Sequence, residues 1–341
     1  MIVLYILLAI FIFGFMIFIH ELGHFMFAKI FKVTIKEFSI GMGPKIFSKT
    51  GKDNVAYSLR LLPFGGYVAM VGEDEDSDDP NAFNKKSAWK RFIIILAGAV
   101  MNLLVGIIIM TILTATTPRF GTTVVGQFNE NSTSIEQLQL NDKIIKVGNT
   151  RVNTASELSY EIMRKGYKPV DLTVIREGNK ITLKDVEFPT VSSQGVVFGA
   201  MDFKVYGEDR TFGTVVKNSF YSCKSTIKMI YDSLFDLITG RYGIEQVSGP
   251  VGITGAITDA AKTDAYSLFY LIVVISMNLG IFNLLPIPAL DGGSLLLLLV
   301  EMIIRKPIPS KIEYAIKAIG FALIMGLAVI IMLKDVIFLF K

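Results

Sequence analysis

Residues 1–19 carry no charged side chain, and this apolar run leads directly into His20-Glu21-Leu22-Gly23-His24. A helix needs about 20 apolar residues to cross the hydrocarbon core of a bilayer, and this run supplies them. In a helix, positions four apart share one face. His20 and His24 therefore point the same way, with Glu21 beside them. Two imidazoles one turn apart can share a metal ion, and the neighbouring glutamate can act on water held there. Such groups are costly at membrane depth and need a reason to be there. The chain has only two histidines, and both are in this stretch. The plainer alternative is a pair of polar residues satisfied by hydrogen bonds inside a helix bundle.

A catalytic zinc site needs a third protein ligand and an open position for water. There is no third histidine, and Cys223 is the single cysteine. A carboxylate elsewhere in the chain is therefore expected. The lone cysteine also excludes an internal disulfide framework.

Of the 341 residues, 52% are hydrophobic, and the mean hydropathy is +0.52. That is too apolar for an ordinary soluble protein and predicts a polytopic membrane protein. The net charge of +4 is modest, and nothing in its distribution points to nucleic acid. The N-terminal run lacks a positive leading segment and small residues at a cleavage point, so it reads as a retained first span rather than a signal peptide.

Residues 1–31 form that first span. Residues 32–91 are polar and basic. Within them Val55, Tyr57, Leu59 and Leu61 alternate with Ala56, Ser58 and Arg60, the period of a strand. Ile40-Gly41-Met42-Gly43-Pro44 and Pro63-Phe64-Gly65-Gly66-Tyr67 read as turns beside strands, so a small membrane-associated β-sheet is expected. Glu73 to Asp79 is an acidic run; it lacks the glycine and distal glutamate of a calcium loop and reads as a solvated loop.

Trp89-Lys90-Arg91 marks a membrane interface, and residues 92–115 form a second span. Residues 118–190 have the composition of a soluble α+β domain. Short strands are expected at Val124-Val125, 142–147, 170–174 and 181–183, with a helix over 155–165. Residues 191–265 read as a linker that contains an amphipathic helix, placed at the membrane surface by its stripe of Val216, Phe220, Cys223, Ile227, Ile230, Leu234 and Leu237. Residues 266–304 form a third span region broken by Pro286, Pro288 and Asp291-Gly292-Gly293. Irregular backbone at this depth is tolerated where it is buried in protein or lines a wet cavity. A fourth span covers 314–340.

Loop charge sets the orientation. Residues 29–91 hold eleven Lys and Arg, and residues 305–317 hold four. Both stretches fall on one side of a four-span arrangement, so both are expected in the cytoplasm. The soluble domain and both termini are then extracytoplasmic.

Asp291 is the best candidate for the third ligand. By this topology it sits in the cytoplasmic half of the membrane, at the depth of His20 and His24. Its alternative role is to cap the helix that begins at Gly292. Zinc on two imidazoles and a carboxylate would polarise a peptide carbonyl and acidify a water, with Glu21 as the base that carries its proton to the leaving amine. A substrate helix would have to be held extended, and an edge strand offers backbone partners for that. Asn278 and Asn283 could bond a substrate backbone in the same way, or could bond helix to helix.

The chain resembles the site-2 protease family of intramembrane zinc metalloproteases, in its bacterial RseP and RasP branch. The residues that carry the resemblance are His20-Glu21-Leu22-Gly23-His24, Gly41-Met42-Gly43-Pro44, Pro63-Phe64-Gly65-Gly66-Tyr67-Val68, 247–253 (VSGPVGI) and 278–293 (NLGIFNLLPIPALDGG), in the family's order. The resemblance implies zinc bound by His20, His24 and Asp291, Glu21 as catalytic base, and Asn283 holding substrate. It implies that the sheet of the first loop clamps an extended substrate, and that the soluble domain is a single PDZ domain, with 140–149 as its most recognisable strand. It also implies substrates that are single-pass transmembrane proteins already trimmed outside by a site-1-type protease, such as anti-sigma factors, or signal-peptide remnants. Glu136-Gln137-Leu138-Gln139-Leu140 departs from the family's usual Ala-Gly-Leu before the turn, and this leaves open whether the domain binds peptide ends or only filters substrates by size. The competing readings are a membrane zinc protease that uses Glu301 as third ligand, and a PDZ-bearing membrane scaffold with a non-catalytic metal site.

Overall fold

The computed structural model describes residues 2–339 other than 74, 76 and 194. Asp74 and Asp76 of the acidic run, and the expected end of the fourth span at Phe340, lie outside the described residues. The chain forms two compact units: Met1–Gly106 with Val247–Lys341, and Ile107–Gln246. Among the described residues, four helices are long and apolar enough to cross a membrane, at Val3–Ile30, Ala88–Thr116, Ala265–Leu284 and Lys311–Asp335.

The first unit begins with helix α1 (Ile2–Ile30) and continues into two long strands, β1 (Ile35–Thr50) and β2 (Ala56–Met70). Each strand bends partway along. The bends fall at the two expected turns, where Gly41, Gly43 and Gly65 take φ of 84°, 84° and 82°, a region that residues with a Cβ rarely enter. Residues 35–40 therefore pair with 66–70 on one side and 56–59 on the other, while 45–50 pair with 56–60. Glu37 fastens the bend, accepting from Arg60 at 3.0 Å and pairing with Lys45 at 3.1 Å. Arg60 also donates to the Gly43 carbonyl at 2.6 Å. The sheet packs on α1 through Phe38, Val68 and Met70, in a core shared with Ala28 of α1 and Ile94 and Ile95 of the next helix.

Helix α2 (Ala88–Thr116) lies close to α1. A Cβ on Gly23 would fall on the Ala97 carbonyl oxygen, so only glycine permits this approach. After the second unit the chain returns through α5 (Pro250–Thr263), α6 (Ala265–Leu284), α7 (Asp291–Ile304) and α8 (Ser310–Leu339), numbered after α3 and α4 of that unit. The break between α6 and α7 is tight. Ala289 sits at φ 75°. A Cβ on Gly292 would strike the Leu285 carbonyl, and one on Gly293 would meet the Ile287 carbonyl oxygen at 2.5 Å. The Gly-Gly pair is what lets α7 start against the end of α6.

The second unit is built on the antiparallel sheet order β10-β3-β4-β6-β7, with β5 paired to β4. Its members are β3 (Arg119–Phe128), β4 (Lys143–Val147), β5 (Thr150–Arg151), β6 (Val170–Arg176), β7 (Asn179–Val186) and β10 (Phe203–Asp209). Helix α3 covers the core at Ala155–Lys165, as the sequence predicts, and buries Leu158 and Ile162. Its N-cap Thr154 accepts from the Glu157 amide, and Glu157 accepts from the Asn153 amide at 2.8 Å. A cap of this kind stabilises a helix by about 1 kcal/mol. Asn141 takes φ 70°, a conformation asparagine tolerates. The buried Asp142 beside it accepts from the Gln139 amide and from Arg176, each at 2.8 Å.

The sheet extends past the expected boundary at 190. β10 pairs with β3, and the hairpin of β8 (Thr190–Ser193) and β9 (Val196–Gly199) lies in the same unit. The expected amphipathic helix is α4 (Phe212–Ile238), and its polar face meets α3. Tyr160 donates to Asp232 at 3.0 Å, Arg164 pairs with Asp232 and with Asp236, and Lys228 pairs with Glu161 at 2.8 Å. The expected stripe is divided: Cys223 and Ile230 are buried, while Val216 and Phe220 are exposed together with Phe212, Tyr231, Phe235 and Ile238.

Candidate metal centre

His20 and His24 stand one turn apart near the C-terminal end of α1, and both are buried. Their Nε2 atoms are 3.2 Å apart. Asp291, the first residue of α7, brings Oδ2 to 3.1 Å from His20 Nε2 and 3.4 Å from His24 Nε2. The N-cap of α7 is Leu290, so the Asp291 carboxylate is turned to the imidazoles rather than used as a cap. Arg91 engages Glu301 at the other end of α7, and the Asp291 position is the one that reaches the histidines.

The ligand atoms fit zinc. Tetrahedral zinc with bonds of about 2.0–2.1 Å places neighbouring ligand atoms roughly 3.3 Å apart, the spacing seen among these three groups. Asp291 Oδ2 is buried and has no hydrogen-bond partner. A buried carboxylate oxygen facing two ring nitrogens is a costly arrangement unless a cation joins them. His24 donates from Nδ1 to the Ile94 carbonyl at 2.9 Å. A carbonyl can only accept, so the His24 proton is on Nδ1 and its Nε2 lone pair is free for a metal.

Glu21 follows His20 on α1 and lines the same cavity, a polar space of about 900 Å³ that also takes in Tyr67, Arg91 and Glu301. Residues 67–70 of β2 run along its wall. A Cβ on Gly66 would meet the Ser39 carbonyl oxygen at 2.9 Å and Glu21 Cγ at 3.1 Å, so the strand passes directly beside the glutamate.

The sequence did not reveal the contribution of α2. Ile94, Gly98 and Asn102 recur every fourth residue and so share one face. A Cβ on Gly98 would fall on His24 Nε2 and crowd His20 Cε1. Asn102 is fully buried and lies 3.4 Å from His20 Nδ1. A buried asparagine inside an apolar span was the available signal. Asn278 and Asn283 are not brought to the site. Both are half-buried on α6, and neither is among the described residues that line the cavity.

Two histidines and an aspartate at ligand spacing, with a glutamate in the same cavity, form the site of a metal-dependent hydrolase inside a helical membrane protein. The comparisons with known proteins agree. The model of peptidase family M50 matches residues 8–327, and the chain belongs to that family. A Clostridium perfringens protein whose name describes a zinc metalloprotease is 36% identical over 338 residues, covering 98% of this chain and 99% of its own length. The zinc metalloprotease RasP of Shouchella clausii is 29% identical over 420 residues, covering 97% of this chain and 98% of its own. The chain is a zinc metalloprotease of the site-2 protease type, and zinc is its metal.

Proposed function

We propose that this protease hydrolyses peptide bonds in or near the transmembrane segment of single-pass membrane proteins, with zinc held by His20, His24 and Asp291 and with Glu21 as the base. The observation that carries the reading is the convergence of these three ligand atoms, all within 4.8 Å of one another, in one cavity with Glu21. Bound zinc supplies Lewis acidity, polarising a carbonyl and acidifying a water molecule. Glu21 takes the proton from the attacking water and delivers it to the leaving amine. His24, locked by the Ile94 carbonyl, keeps its ring in the ligating orientation.

The substrate must be extended to react, because a helix hides its peptide groups in its own hydrogen bonds. Residues 66–70 of β2 pair with β1 on one edge only. Their other edge has no strand partner among the described residues and runs along the cavity. Strand addition there would present an unwound substrate beside Glu21. Asn278 and Asn283 act, on this reading, at the α6 surface a substrate crosses and not at the metal.

The termini and the second unit are extracytoplasmic and the site faces the cytoplasmic half, a reading supported by the basic residues of 29–91 and 305–317. The second unit serves as a PDZ-like domain that admits only substrates whose outer part has been shortened by a site-1-type protease. Anti-sigma factors and signal-peptide remnants have that form. The exposed apolar side chains of α4, among them Phe212, Phe220 and Phe235, lie on the bilayer surface, since its charged face is already taken by α3.

The test is the membrane proteome of cells that carry Glu21→Gln. Single-pass proteins with the outer part removed and the membrane segment intact should accumulate. Accumulation of full-length, untrimmed proteins alone would contradict the order of cleavage.

A further inference from the structure

We propose that Asn102 is a positioning residue for the metal centre: its carboxamide oxygen accepts from His20 Nδ1–H and so fixes the tautomer that leaves Nε2 bare for zinc. The inference rests on the reading of His20, His24 and Asp291 as the ligands.

Two observations on Asn102 carry it. The residue is fully buried in an apolar helix, and its Oδ1 has no hydrogen-bond partner. Its Nδ2 meanwhile lies 3.4 Å from His20 Nδ1. An imidazole that gives Nε2 to a metal carries its proton on Nδ1. A carboxamide nitrogen at Nδ1 would demand the opposite tautomer, with the proton on Nε2 aimed at the other ligands. A half-turn of the amide brings the oxygen to Nδ1–H, and the nitrogen takes the position that Oδ1 holds.

The rest of α2 supports this assignment. Ile94 already does the same for His24 through its backbone carbonyl at 2.9 Å. Asn102 stands eight residues along on the same face, as His20 stands four residues before His24 on the facing helix. Gly98, between them, leaves room for both rings. The turn at Asn102 is itself held: Ser276 of α6, also fully buried, donates from Oγ to the Asn102 carbonyl at 2.7 Å.

The test uses the full chain in detergent, loaded with zinc alone. The chain has only two histidines, so 15N-histidine labelling gives two resolvable rings. Both rings should show a protonated Nδ1 and an unprotonated Nε2. A bare Nδ1 on His20 in the wild-type protein would overturn the proposal without any variant. Zinc affinity, measured by competition with a chelator, should fall about 10–100-fold in Asn102→Leu. It should stay within about threefold of wild type in Asn102→Asp, whose carboxylate accepts the same proton. An unchanged affinity in Asn102→Leu, or an equal loss in both variants, would contradict the role. A His20→Ala control separates the two readings. Full zinc retention there sinks the ligand assignment itself, whereas loss there with an unaffected Asn102→Leu sinks only the role of Asn102.

Discussion

Helices α1 and α2 are each 29 residues long and strongly apolar, yet they serve the metal centre in opposite ways. α1 presents ionisable side chains: two imidazoles and the Glu21 carboxylate. α2 presents a carbonyl at Ile94, a gap at Gly98 and a carboxamide at Asn102. The ligands alone do not define a site in an apolar medium, because free imidazoles can turn and change tautomer. The facing helix removes that freedom. A ligand contributes bonds to the metal, while its support contributes orientation, and losing a support costs less than losing a ligand.

That difference orders the expected effects of substitution. His24→Ala or Asp291→Asn should reduce zinc from one ion per chain to a trace, read by elemental analysis of purified protein. Retained zinc in either variant would break the comparison at its root. Glu21→Gln should keep its zinc but lose roughly 10²–10⁴-fold in cleavage of a transmembrane test substrate. On the α2 side, Gly98→Val should weaken zinc binding by about 10–100-fold with the helical circular dichroism unchanged. An unchanged zinc affinity there would show that Gly98 is not the gap that admits the two rings.

The smallest effect belongs to the sheet, away from both helices. Burial pushes the Glu37 carboxyl up, but hydrogen bonds from Ser58, Lys45, Arg60 and Tyr67 outweigh it and hold the group at about 2, against an ordinary 4.5. Its stabilising contribution is thus present above pH 4.5 and fades as the pH falls toward 2. Glu37→Gln should cost about 2 kcal/mol at neutral pH, as a lost charge-assisted hydrogen bond does. The variant and wild type should converge in thermal stability as the solution is acidified. A gap that persists to low pH would show that the charge of Glu37 is not what fastens the bend.

What the sequence made legible follows the same division. The HELGH spacing on an apolar run identified α1 and its two histidines, because helical periodicity and membrane cost both act on side-chain type. Pro286, Pro288 and Asp291-Gly292-Gly293 marked the break that brings Asp291 beside the two histidines. α3 was readable to its ends because Thr154 caps it and Gly166 closes it. The α2 wall was not readable in the same way. A backbone carbonyl leaves no trace in the residue at position 94, and Gly98 resembles any glycine of a membrane span. Asn102 did leave a trace, as a polar residue in an apolar span. The face of α6 that packs inward is Val273, Ser276, Met277, Gly280 and Ile281, and Asn278 and Asn283 lie off it, where the sequence alone does not say which face a substrate meets. β10 and α5 were missed because short strands and a Pro-initiated helix gain their definition from the partners they pack on.

The central claim is that two imidazoles of α1 and one carboxylate of α7 hold the metal. X-ray absorption at the zinc edge of the purified wild-type protein tests it most directly. The structure predicts a shell of low coordination number at about 2.0 Å, made of nitrogen and oxygen with the outer scattering of two imidazoles. A shell with one imidazole or none, or a spectrum unchanged in Asp291→Asn at full zinc content, would contradict it.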